Sequence, residues 1–134
     1  MDEARLLRHV LRRDEVVLLD MYAGVEHLGR ATADAVDAMI IVVEPTARSI
    51  GTATQIKSLA EDLKLAKLYL VGSKLRNEDD RAFIMSRSPG LPILGYLFND
   101  EQVIEADRKG VPVYNLSPEL TEETRNIVKS LQSV

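Results

Sequence analysis

Asp20 ends the short apolar run Val16-Val17-Leu18-Leu19, and Gly24 follows in the next turn. An unbroken apolar run rich in β-branched residues is the pattern of a strand covered on both faces of a parallel sheet. In such sheets ligands bind in the crevice beyond the carboxyl ends of the strands, which is where Asp20 would stand. A carboxylate there can hold a hydrated Mg²⁺ ion, and a glycine lets a backbone amide come close to a phosphate. The competing reading is plainer: Asp20 caps the next helix and Gly24 turns the chain. Three further polar loops follow apolar runs, at Glu44-Pro45, Gly72-Ser73-Lys74 and Asn99-Asp100.

The elements that position these loops alternate between strand and helix. Residues 2–13 read as a helix with Leu6, Leu7, Val10 and Leu11 on one stripe and arginines around it. Strand patterns fall at 16–19, 38–43, 68–71, 93–97 and, more briefly, 113–116. A helix over 25–36 carries the i,i+4 pair Glu26 and Arg30, and another to about residue 63 aligns Ile50, Ala53, Ile56, Leu59, Ala60 and Leu63. Thr46 or Ser49 would cap it, as Asn77 or Asp79 would cap the helix that ends before Pro89-Gly90. A helix over 101–109 would stop at Gly110, and Ser117 with Pro118 opens a last helix whose stripe is Ile127, Val128 and Leu131. The alternation predicts one domain over residues 1–134, of the α/β class, with a doubly wound, mainly parallel sheet and helices on both faces.

Composition narrows the chemistry. With 46% hydrophobic and 28% charged residues the chain is globular, and a net charge of -4 gives no field for gathering nucleic acid. There is no cysteine, which excludes disulfides, thiolate metal sites and thiol nucleophiles, and His9 and His27 are too far apart for a zinc site of their own. His27 beside Glu26 on a helix face is read as structural. No apolar run reaches membrane-spanning length and the start of the chain is charged, so no membrane association is expected and the expected location is the cytoplasm.

Three nucleotide-site motifs are each met only in part. Gly24-Val-Glu-His-Leu-Gly29-Arg30-Ala31 resembles a phosphate-binding loop in spacing, but Arg30 stands where a lysine is needed and Ala31 has no hydroxyl for Mg²⁺. A phospho-acceptor receiver would use Asp20 and Lys74, yet no acidic pair ends a strand, and Asp79-Asp80 reads as part of a helix start. A guanine-reading loop would put an aspartate two residues after Lys74, where the chain has Arg76.

Joined together, Asp20-Met-Tyr-Ala-Gly-Val-Glu-His-Leu-Gly-Arg30, Val36-Asp37, Val42-Val43-Glu44-Pro45, Ser49, and Glu105-Ala106-Asp107 with Gly110 resemble the nickel-insertion accessory ATPases of carbon monoxide dehydrogenase maturation. These are relatives of the nitrogenase iron protein and the cell-division-site ATPases, and the resemblance runs from about Leu6 to Leu116. It implies that Asp20 is the acid of the second switch region, ordering Mg²⁺ and water, and that Gly24 senses the γ-phosphate of ATP. It places Ser73 and Lys74 beside the adenine, with Asn99 and Asp100 in a second adenine-side loop. Ser73 replaces the family's asparagine, Phe98 a common proline, and Tyr22 a glutamate frequent in close relatives.

The family pattern begins with a strand and phosphate loop carrying an essential lysine, then a first switch, then a Cys-x-Cys pair, all of which precede the part matched here. The expectation is therefore the C-terminal half of such an ATPase, with no catalytic residue of its own, no unaided ATP or ADP chemistry, and no nickel site. In the family the phosphate-loop strand lies between the 16–19 and 39–43 strands, so its absence leaves two strand edges unpaired. The expected partners are a second copy, an N-terminal half or a full-length ATPase, and the dehydrogenase itself. The alternative is a catalytically inactive binding or regulatory module that pairs with a full-length ATPase or its dehydrogenase client.

Overall fold

The computed structural model describes residues 16–21, 29 and 34–133. Its sheet has three parallel strands in the order β1-β2-β3, formed by β1 (Met39–Val43), β2 (Leu68–Leu75) and β3 (Ile93–Phe98). Between and after them run α1 (Ala47–Asp62), α2 (Glu78–Arg87), α3 (Glu101–Lys109) and α4 (Pro118–Ser133). The α/β class, the parallel pairing and the helices on both faces are as the sequence leads one to expect.

Two cores flank the sheet because successive strand residues point to opposite faces. On one face Ile41, Val43, Leu68, Leu70 and Leu75 meet Ile50, Ala53, Ile56 and Ala60 of α1 and Ile84 of α2. On the other, Tyr69, Val71 and Leu94 meet Ile127, with Leu131 packed beside it, both from α4. Each fully buried large aliphatic side chain contributes about 1.5–3 kcal/mol, so the α1 stripe alone anchors that helix firmly. The expected α1 stripe is complete, with Leu59 and Leu63 half-buried at its margin. Val128, by contrast, is exposed, because α4 turns only Ile127 fully inward.

The helix ends follow sequence chemistry. Thr46 caps α1 and Asn77 caps α2, each side chain accepting the backbone N–H three residues on. Lys64, just past the end of α1, takes a left-handed φ of 59°, and the Leu65 N–H returns to the Ala60 carbonyl at 2.9 Å. Gly110 closes α3 with φ of 65°, a conformation open to glycine without penalty.

Two expected strands do not form. Residues 16–19 carry no regular structure, and Val16 and Leu18 are 88% and 86% exposed. A β-branched run becomes a strand only against a partner and a covering layer, and no described strand pairs with it. Residues 113–116 form instead a turn of 3₁₀ helix, Val113–Asn115, preceded by Pro112 and stitched by the Leu116 N–H to the Val113 carbonyl. The expected helix over 2–13 and most of that over 25–36 lie outside the described residues. Among the described residues no helix is long and apolar enough to cross a membrane.

Candidate functional site

The carboxyl ends of β1, β2 and β3 share one edge of the sheet, and the polar loops noted above leave from it. At β1 the chain exits through Glu44. Its N–H donates to Ser49 Oγ at 2.9 Å, and its carbonyl accepts from the Thr46 N–H at 2.8 Å. Thr46 Oγ1 accepts in turn from the Ser49 N–H at 3.1 Å, so the α1 cap and the Glu44 backbone form one unit.

β2 runs past its expected end, through Ser73 and Lys74 to Leu75. Lys74 has a left-handed φ of 59°, and the β2–β3 register shifts between Gly72 and Leu75. The bulge lifts Ser73 and Lys74 from the ladder, and Lys74 Nζ meets Glu44 Oε1 at 3.0 Å. Next to it the Asn99 N–H donates to the Leu75 carbonyl at 2.7 Å, tying the β2 loop to the β3 loop.

Asp100 caps α3, its Oδ1 accepting from the Gln102 N–H at 2.8 Å, while its Oδ2 accepts from the Ser117 hydroxyl. The Ser117 hydroxyl first, and then the Gln102 N–H, hold the Asp100 carboxyl below the usual carboxylate range, because both bond to its charged form. Glu123 on α4 accepts the Phe98 N–H at 3.2 Å. Burial pushes the Glu123 carboxyl up, and the Phe98 N–H offsets only part of that.

Of the candidate residues, Ser73, Lys74, Asn99 and Asp100 are thus gathered at one end of the sheet. Asp20 is exposed in the segment 16–21, and among the described residues no hydrogen bond or ion pair joins it to the other four. Gly24 lies outside the described residues.

No family model matches the chain. The uncharacterized ATP-binding protein MJ0823 of Methanocaldococcus jannaschii is 47% identical over 126 residues, covering 92% of this chain and 49% of that protein. The carbon monoxide dehydrogenase accessory protein CooC of Rhodospirillum rubrum is 41% identical over 127 residues, covering 94% of this chain and 48% of that one. The chain belongs to the CooC/MinD-type ATPase superfamily. A putative septum site-determining protein MinD of Emiliania huxleyi is 28% identical over 105 residues, 74% of this chain and 39% of its own. The chain spans about half the length of the curated relatives it matches.

For a CooC/MinD-type chain the residues that pattern reading passed over are those acting on the loops from neighbouring elements. Glu44 was legible as an acid ending a strand, but its ion pair with Lys74 depends on the parallel β1–β2 register, in which Val43 stands opposite Gly72. Ser117 was legible as a cap and not as the donor to Asp100, 17 residues before it. Glu123 was legible as an acid in the early part of the last helix and not as the acceptor of the Phe98 N–H, 25 residues before it.

Proposed function

We propose that this chain is the C-terminal, adenine-side portion of a carbon monoxide dehydrogenase accessory ATPase of the nickel-insertion type. The observation that carries the reading is the gathering of Ser73, Lys74 and Asn99 at one edge of the sheet in a chain 41% identical to CooC. Ser73 offers a half-buried hydroxyl, and Lys74 and Asn99 offer exposed donors. This donor set suits the polar edge of an adenine and the charge of ATP or ADP. Asp100 has both oxygens engaged, so its part is to hold the loop that carries Asn99. Asp20 would order Mg²⁺ through water and the Gly24 amide would face the terminal phosphate. A phosphate loop from outside this span would supply the lysine and hydroxyl that phosphoryl transfer requires, so the chain does not hydrolyse ATP alone.

The partner is an N-terminal half, a full-length ATPase or a second copy, working in the cytoplasm on the dehydrogenase. Support for a partner comes from β1: among the described residues it pairs only with β2, which leaves its other edge open, and Val42 on it is 59% exposed. Isothermal titration of Mg-ATP and Mg-ADP into the chain, alone and with a separately expressed N-terminal half of a close relative, tests the reading. Heat in the mixture alone is the expected result. No heat in either case would favour the inactive module that pairs with a full-length ATPase or its client.

A further inference from the structure

The described residues hold two non-glycine residues at positive φ, Lys64 and Lys74. Lys64 has a structural reason: it follows the last turn of α1, where a left-handed residue lets the Leu65 N–H close onto the Ala60 carbonyl. Lys74 has no helix to end. It sits inside β2, at the point where the ladder to β3 loses register. A left-handed conformation is disfavoured for a residue that carries a β-carbon, and it persists where surrounding contacts hold it. The contact found here is the ion pair from Lys74 Nζ to Glu44 Oε1 at 3.0 Å. Glu44 is well placed to act as a fixed point, because Ser49 Oγ and the Thr46 N–H hold its backbone on both sides. The two residues lie at the carboxyl ends of adjacent parallel strands, on the side of the sheet from which the polar loops leave.

We infer that Glu44 is a positioning residue for Lys74, fixing the lysine and the bulged loop 73–74 in the arrangement that meets the nucleotide. This rests on the adenine-side reading given above. The pair is largely exposed, with Lys74 and Glu44 side chains 69% and 47% accessible, so its contribution to overall stability is small. Its role is one of geometry: losing the charge lets Lys74 sample other rotamers, and the nucleotide must then order it again. A surface pair of this kind corresponds to an affinity loss of about three- to fivefold.

The test is a double-mutant cycle of Glu44→Gln and Lys74→Met, read as Mg-ATP affinity of the chain together with an N-terminal half. Expected are a three- to fivefold loss in Glu44→Gln, the same substitution nearly silent when Lys74 is already Met, and unchanged melting temperatures. Equal losses in both backgrounds, or none in Glu44→Gln, would overturn the inference. Carbodiimide coupling of the chain alone, followed by peptide mass spectrometry, separates the two ways of failing. A Glu44–Lys74 isopeptide bond with no nucleotide bound in any mixture would fault the adenine-side reading and the inference resting on it. Absence of that bond would fault the pair itself.

Discussion

Ser117 donates its hydroxyl to Asp100 Oδ2 and with the same oxygen accepts the Leu120 N–H, so one side chain joins the caps of two helices. Asp100 holds the start of α3, Ser117 holds the start of α4, and the bond between them fixes the loop after β3 from its far side. Ser117 is fully buried. The arrangement converts two local cap preferences into a tertiary constraint on the edge of the sheet where Asn99 stands.

Replacing Ser117 by Ala removes the N-cap acceptor of α4 and the donor to Asp100 together. Loss of an N-cap alone costs about 1 kcal/mol, and leaving Asp100 Oδ2 without its donor adds to that. Chemical denaturation should show a loss of about 1–2 kcal/mol with unchanged slope. Ser117→Thr, which keeps the hydroxyl, should recover part of it. A loss no larger than a few tenths would mean that the bond to Asp100 does not organise the loop.

Asp100 and Glu123 shift in opposite directions, and their pH dependences separate accordingly. For Asp100 the folded pKa lies below the unfolded value. Its stabilisation is therefore present above the unfolded pKa, and is lost as pH falls from there through the folded pKa. For Glu123 the folded pKa lies above the unfolded value, so its favourable contribution is fully present below the unfolded pKa and is lost as pH rises through the folded pKa. Glu123→Gln keeps an oxygen for the Phe98 N–H and removes a partly buried charge, so at pH 7 it should raise the melting temperature slightly. Asp100→Asn should flatten the acid limb of the stability curve. Thermal melts from pH 3 to pH 8 check both, and a Glu123→Gln variant less stable than the parent at pH 7 would contradict the burial argument.

Gly72 is a packing glycine. A Cβ there would stand 2.8 Å from Tyr96 Cδ1 and 2.9 Å from Ile84 Cδ1, closer than side-chain carbons tolerate. The Tyr96 ring is also flanked by the Arg81 guanidinium, 5.0 Å from its centroid, which limits how far it can swing. Gly72→Ala should destabilise by about 1–3 kcal/mol, the usual cost of overpacking. Because Gly72 immediately precedes Ser73, the same substitution should also disturb the bulge at Lys74, visible as shifted Lys74 side-chain NMR signals. A variant as stable as the parent would show that Tyr96 repacks freely.

How far the sequence carries can be argued from particular residues. Gly110 and Ser117 were legible as caps, and Thr46 and Asn77 each as one of two candidates beside Ser49 and Asp79, because caps depend on a few neighbouring residues. The α1 stripe was legible because a 3.6-residue period admits one buried face. Residues 16–19 failed because an apolar β-branched run becomes a strand only where a neighbouring strand pairs with it, and none of the described strands does. Residues 113–116 failed because Pro112 and the polar Asn115 lead into a 3₁₀ turn instead. In the candidate site the loop residues were legible as polar breaks after strands. The partners of those loops were not, since Glu44 reaches Lys74 and Glu123 reaches Phe98 only once strand register and helix docking are fixed.

Val42 offers the most direct test of a binding partner. It lies on the same face of β1 as Ile40, which packs at the margin of the α4-side core, yet Val42 itself is 59% exposed. An exposed valine beside an open strand edge loses little when made polar in the isolated chain, within about 0.5 kcal/mol for a surface position. If a second polypeptide covers that face, the same change buries a charge in the interface and should abolish association. Val42→Asp should therefore leave the melting temperature of the chain almost unchanged. It should also remove the complex with an N-terminal half, or the dimer, from sedimentation profiles that show it for the parent. A complex that survives Val42→Asp would place the partner elsewhere, and a collapse of the isolated chain would mean that Val42 is already covered within this polypeptide.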